Sequence, residues 1–191
     1  MRKTFGKIVY AIKLIRFIPA FLMLNTSRNK HIILYEVERW LAFNHINTSV
    51  NKGFFVLMQK FPEFRSLVYH RIGSNWLRHF GKGQINLYFH TPSHKIGKGL
   101  MIWHGYSTVI NAETIGENCS IWHNVTLGKK TILEIDDKPR IGNNVSISTG
   151  SIIVGDIEIA DGVTIGAGTV VVSSVKKENV TVVGIKGRVI S

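Results

Sequence analysis

Two copies of one tripeptide, Ile102-Trp103-His104 and Ile121-Trp122-His123, are the residues best equipped for chemistry. An imidazole takes or gives a proton near neutrality and is also the commonest metal ligand. The tryptophan beside each histidine adds a ring face able to stack on a ligand. The histidines stand 19 residues apart, so whether they meet depends on the element that carries them. The single Cys119 cannot close an internal disulfide and excludes a metal site built on several thiolates. Nothing here asks for an oxidising compartment, and a cytoplasmic protein is the expectation.

The element is legible as a repeat. From Ile96 an aliphatic residue recurs every six positions at Ile96 and Ile102, then, after a one-residue shift, at Val109, Ile115, Ile121 and Leu127. It resumes at Ile141, Ile147, Ile153, Ile159, Ile165 and Val171. Neither a helix nor an ordinary strand generates that period. The next position is often small (Gly97, Gly116, Gly128, Gly142, Ala160, Gly166), as a corner requires, and four positions after the aliphatic comes a second inward candidate (Cys119, Val125, Val145, Ser151, Val163, Thr169). Short strands with a corner every six residues build a parallel β-helix of about 18 residues per coil, with coils about 4.8 Å apart. A separation of one coil plus the shift then sets His123 beside His104 on one edge. The polar interruption at residues 129–140 is expected to leave the coil as a loop at the edge of the site.

Upstream, the pattern changes. Helices are expected at about residues 4–24, 30–43, 54–60 and 63–72, with Pro62 forcing a break and the glycines at 73, 81 and 83 marking a linker. The chain thus reads as mainly β, with a basic α-helical domain over residues 1–80 and a hexapeptide-repeat β-helix over residues 81–191, ending in a tail at 173–191. Charge is uneven: residues 1–80 hold 13 Lys/Arg against Glu36, Glu38 and Glu63, whereas residues 81–191 hold 11 against 9 acids. Ile8, Ala11, Ile12 and Ile15 share one helical face opposite Lys3, Lys7, Lys13 and Arg16, a basic amphipathic pattern suited to lying on an anionic membrane through residues 1–27. The uncharged run at 17–27 is shorter than the roughly 20 residues a spanning helix needs. A peripheral position at the inner face of a membrane follows as an expectation. Nucleic acid is not an expected partner, since no binding motif accompanies the charge.

The segments Lys95-Ile96-Gly97-Lys98-Gly99, Ile102-Trp103-His104-Gly105, Asn124-Val125-Thr126-Leu127-Gly128, Pro139-Arg140-Ile141-Gly142 and Ile165-Gly166-Ala167-Gly168 resemble the hexapeptide-repeat acyltransferases. Within that group they resemble the serine acetyltransferase-like branch, which includes capsule and exopolysaccharide O-acetyltransferases. The resemblance implies a left-handed β-helix, a homotrimer with sites between subunits, acetyl-CoA as co-substrate, and no metal.

It also implies residue roles. His104 aligns with the catalytic histidine that takes the hydroxyl proton, and His123 is a second catalytic candidate beside it. Thr149, Gly150, Ala167 and Gly168 match the pantetheine groove, and Arg188 matches a residue near the phosphates. The usual Thr-Lys is Val172-Ser173 here, which shifts phosphate binding toward Lys176, Lys177 or Lys186.

Three departures bear on the acceptor. The acid that helps bind serine's amino group is Trp103, a histidine of the family is Lys138, and the carboxylate partner of His104 is Phe89. Asp136, Asp137 and Glu113 remain as candidates for that partner. These departures lead to the expectation of a carbohydrate acceptor, a capsule or exopolysaccharide sugar or its precursor, with Trp103, Trp122, Asp136 and Asp137 binding it. The alternatives are a serine O-acetyltransferase, a metal-dependent β-helix resembling the γ-type carbonic anhydrases, and a non-catalytic trimeric scaffold.

Overall fold

The computed structural model describes residues 14–131 and 137–184, and the chain divides into two compact units, Met1–Gln84 and Ile85–Ser191. Residues 1–13 of the expected basic amphipathic segment lie outside the described residues, as do Asp136, Lys186 and Arg188.

The first unit contains α1 (Ile18–Thr26), α2 (Lys30–Phe43), α3 (Val50–Lys60) and α4 (Pro62–Ile72). Pro19 sits in the first turn of α1, where a missing N–H costs nothing, and Gly73 closes α4 in the left-handed conformation (φ +75°). Helix α3 begins at Val50, four residues before the apolar periodicity becomes legible. Its first turn contains Gly53, a poor helix former, but a Cβ there would lie 2.4 Å from Leu41 Cδ1. Close packing on α2 therefore overrides propensity. The core is aromatic: Trp40 meets Phe61 and Phe64 edge-on at 5.6 and 5.2 Å between centroids. Beside it the Arg71 guanidinium donates to Glu36 at 2.7 Å, both side chains wholly buried.

In the second unit three parallel sheets wind around one core. The first runs through Leu87–Phe89, Thr108–Ile110, Thr126–Gly128, Ile152–Val154 and Val170–Val171. The second runs through Thr114–Ile115, Arg140–Ile141 and Glu158–Ile159. The third runs through Met101–Ile102, Ser120–Ile121, Ser146–Ile147, Thr164–Ile165 and Thr181–Val182. Register stacks like on like: Ile102, Ile121, Ile147 and Ile165 form one buried column, and Ile115, Ile141 and Ile159 another. Cys119, Val125, Val145, Ser151, Val163 and Thr169 are all buried, as the repeat implied.

The structure corrects the phase in three places. In the first sheet the residue that joins the buried column of Leu127, Ile153 and Val171 is Ile110, in register with Leu127 and wholly buried, while Val109 is only partly covered. From Ile102 to Ile110 the chain takes eight positions where Ile121 to Leu127 takes six, and Ile110 to Ile115 takes five, so the corner after Ile102 gains two residues and the next corner gives one back. The coil also starts earlier than the repeat, since Leu87–Phe89 pairs with Thr108–Ile110 although no six-residue period reaches that far. At the other end Val175 bridges Ile159, and Thr181–Val182 pairs with Thr164–Ile165, so winding continues into the segment expected as a tail. One corner leaves no room for side chains over successive coils: a Cβ on Gly97 would lie 2.6 Å from the Gly116 carbonyl carbon, and one on Gly116 would lie 2.5 Å from that of Gly142.

Candidate functional site

The corner between the third and first sheets carries the chemistry. After Ile102 the chain turns through His104, Gly105 and Ser107, with φ of 61°, 46° and 51°. In the following coils the left-handed corner residue is Asn124, Gly150 or Gly168, types that tolerate that conformation. A histidine there is strained by roughly 1–2 kcal/mol, and strain of this kind gathers at functional sites. Hydrogen bonds to the next coil hold it: Trp103 N–H to the Ile121 carbonyl at 2.8 Å, and Asn124 N–H to the Tyr106 carbonyl at 2.7 Å. The Thr108 hydroxyl, buried under the turn, donates to the Tyr106 carbonyl at 3.1 Å.

The supernumerary residue brings the two tripeptides together. The His104 and His123 rings lie edge to face, 6.0 Å between centroids, and Trp103 and Trp122 pair at 6.1 Å. His104 is exposed, and His123 and both tryptophans are half-buried. His123 Nδ1 is enclosed with no hydrogen-bond partner, a signal no sequence pattern contains. Below the histidines the edge continues as backbone. The Thr149 hydroxyl and the Gly150 N–H both donate to the His123 carbonyl, at 3.1 and 3.2 Å, and the Gly168 N–H donates to the Thr149 carbonyl at 2.9 Å. Ala167 and Gly168 are exposed. Eight of the expected site residues, Trp103, His104, Trp122, His123, Thr149, Gly150, Ala167 and Gly168, therefore follow one another on a single edge.

Other expected residues stand elsewhere. Lys176 and Lys177 are exposed after Val175, on the corner between the second and third sheets. Asp137 sits on the corner between the first and second sheets, so within one chain the interruption at residues 129–140 springs from a different edge than the histidines. Its carboxylate accepts the N–H groups of Lys130 (2.7 Å), Thr131 (2.9 Å) and Asp156 (2.7 Å), and these bonds, that from Thr131 foremost, hold its pKa below the ordinary aspartate value. Asp137 thus closes the base of the loop. Glu113 pairs with Lys95, which lowers its pKa, and it too lies on that corner. Neither carboxylate reaches His104. Phe89 ends the first strand of the first sheet. Among the described residues no group of three or more His, Cys, Asp or Glu is arranged to hold a metal ion, which leaves the carbonic anhydrase-like alternative without a ligand set there. Cys119 is buried, its thiol toward the Gly142 carbonyl at 3.1 Å, away from the edge.

Comparison with known proteins extends this geometry. Residues 138–173 match the family model described as bacterial transferase hexapeptide (six repeats). Over 143 residues the chain is 36% identical to a serine acetyltransferase of Synechococcus elongatus, an alignment covering 68% of this chain and 57% of that one. Over 100 residues it is 46% identical to a serine acetyltransferase of Staphylococcus epidermidis, covering 52% and 46%. The chain spans about half the length of these curated relatives. A crystal structure of a Brucella abortus serine acetyltransferase in complex with coenzyme A superposes with a TM-score of 0.62 at 26% identity, covering 87% of this chain and 70% of that one. The parallel sheets and the hexapeptide repeat together match a left-handed β-helix with an N-terminal helical region. The relatives are serine acetyltransferases, and this overturns the expected capsule or exopolysaccharide sugar as acceptor. The likeness is spread over the coil and outweighs the three substitutions at Trp103, Lys138 and Phe89.

Proposed function

We propose that this chain is an acetyl-CoA-dependent serine O-acetyltransferase in which His104 is the general base. The observation that carries the reading is the continuous edge from the strained His104 corner, past His123, to the backbone at Thr149-Gly150 and Ala167-Gly168. Its likeness to serine acetyltransferases, one of them bound to coenzyme A, supports both substrates. The pantetheine arm lies along the backbone of these lower corners, with the thioester toward His104.

As the serine hydroxyl attacks the thioester carbonyl, His104 takes its proton; the C–O bond forms and the carbonyl π electrons pass to oxygen. Collapse re-forms the carbonyl, breaks the C–S bond and expels the thiolate, which receives the proton from the His104 imidazolium. The products are O-acetylserine and coenzyme A. With Phe89 at the family's carboxylate position, His123 is the positioning residue, its ring forming the wall against which His104 is oriented. Trp103 and Trp122 offer ring faces to serine's ammonium in place of the family's acid, a cation–π contact of about 0.5–2 kcal/mol. A homotrimer closes cyclically and sets the loop edge of one protomer against the histidine edge of the next.

The test is thiol release from acetyl-CoA with serine as acceptor. Wild type turns over, and His104→Ala loses about a hundredfold to ten-thousandfold in kcat. Undiminished turnover by His104→Ala removes the base, and absence of thiol release with serine removes the acceptor.

A further inference from the structure

The first unit carries a surface unrelated to acetyl transfer. Helix α1 and the residues just before it are apolar on two sides. Phe17, Ala20 and Leu24 face the core and are buried, whereas Ile15, Ile18 and Leu22, spaced to share the opposite side, are 58%, 42% and 61% exposed. A helix apolar all round belongs inside a larger apolar phase. Beside this ridge Leu14, Ile15, Ile18, Phe55 and Val56 line a groove of about 490 Å³, with Thr48 and Lys52 as its polar members.

Charge identifies what the ridge faces. Of the three acids of this unit, Glu36 is wholly buried against Arg71 and Glu63 is buried at the start of α4, leaving Glu38 as the exposed carboxylate. Against it stand the exposed cations Arg16, Arg28, Lys30, Lys52, Lys60 and Lys82. Glu36 and Arg71 leave the surface together, and burial of Glu63 takes one further negative charge from a surface that already holds the excess of positive ones. An apolar ridge bordered by Arg16 and Lys52, on a unit with a large excess of exposed cations, fits a phase with a hydrocarbon interior and an anionic face. We propose that the first unit docks on anionic lipid bilayers, with Ile15, Ile18 and Leu22 entering the acyl boundary and the surrounding lysines and arginines meeting the headgroups. Insertion is interfacial, since among the described residues no helix is long and apolar enough to cross a membrane.

Co-sedimentation of the full chain with phosphatidylcholine vesicles, with and without phosphatidylglycerol, tests this. The protein is expected to partition onto the anionic vesicles, to leave neutral ones, and to be released by salt. Ile18→Glu/Leu22→Glu, exposed positions where folding is checked by thermal melting, lowers the partition coefficient by at least roughly tenfold. Lys52→Glu, a second variant at the groove edge, lowers it more modestly and makes it less salt-sensitive. Equal binding to neutral vesicles, no binding to anionic ones, or undiminished binding by both variants overturns the proposal. A smaller sedimenting species for the Glu variant, with vesicle binding unchanged, would assign the ridge to a second copy of the chain and overturn it equally.

Discussion

Replacing His123 by phenylalanine and by leucine separates its energetic from its positional role. His123 Nδ1 is enclosed without a partner, and such an atom costs about 1–3 kcal/mol of stability. Phenylalanine removes the atom and keeps the edge-to-face contact with His104, so the net gain is that same amount, or a melting temperature higher by about 4–12 °C for a unit near 100 residues. Leucine removes the atom but forfeits the ring contact, worth about 0.5–1.5 kcal/mol, and so gains less. If the ring orients His104, the phenylalanine variant keeps kcat within a few-fold of wild type, while the leucine variant loses about tenfold to a hundredfold, the cost of a misplaced catalytic group. Differential scanning calorimetry and thiol release read the two effects on the same samples. A phenylalanine variant that melts below wild type refutes the orphaned-nitrogen argument, and a leucine variant with unchanged kcat refutes the positioning role.

Trp103→Asp restores the family's carboxylate beside His104 and is expected to lower the KM for serine about fivefold, the roughly 1 kcal/mol by which a hydrogen bond between charged groups exceeds an exposed cation–π contact; an unchanged KM would remove the ammonium from the tryptophan faces. Glu36→Leu or Arg71→Leu alone leaves an uncompensated buried charge and costs about 3–5 kcal/mol in urea unfolding, whereas the double variant recovers most of the loss. Equal losses in all three would show that packing, not charge, dominates there. Because Asp137 has a pKa below its unfolded value, its stabilisation of the loop is full above the ordinary aspartate range and is lost as pH falls through the lowered folded value. Asp137→Ala abolishes that acid limb and speeds tryptic cleavage after Lys130 at neutral pH, and an unaltered cleavage rate would show that other contacts close the loop.

How much of this was legible in the sequence follows from what kind of interaction writes a pattern. The columns of Ile102, Ile121, Ile147 and Ile165 are one-dimensional, because each coil packs on the next in register, and so they are readable as a period. The meeting of His104 with His123 came from the same arithmetic. The exchange of Val109 for Ile110 was hidden, because Val109 keeps the six-residue spacing to Ile115 and Ile110 does not, and only the corner's geometry moves the strand on by one. The entry strand Leu87–Phe89 was hidden for a related reason, since a single strand has no period. Asp137 looked like a site residue because a carboxylate in a loop is ambiguous by type; its three amide donors come from positions on both sides of the loop. Glu36, read only as a charge on a basic stretch, is matched by Arg71 35 residues away, a tertiary pairing without a local signature.

The stacked corners at Gly97, Gly116 and Gly142 have a consequence for how such a molecule can lengthen. Because each corner accepts the one before it on identical terms, an extra coil copied from its neighbour slots in without new inventions, and the solenoid can grow or shrink in whole turns. Copying falls out of step at the loop of residues 129–140 and at the corner after Ile102, which takes eight positions to Ile110 where its counterparts take six. The reactive edge is therefore anchored by an irregularity: whole storeys add above or below it, while the lengthened corner keeps the address of the histidine.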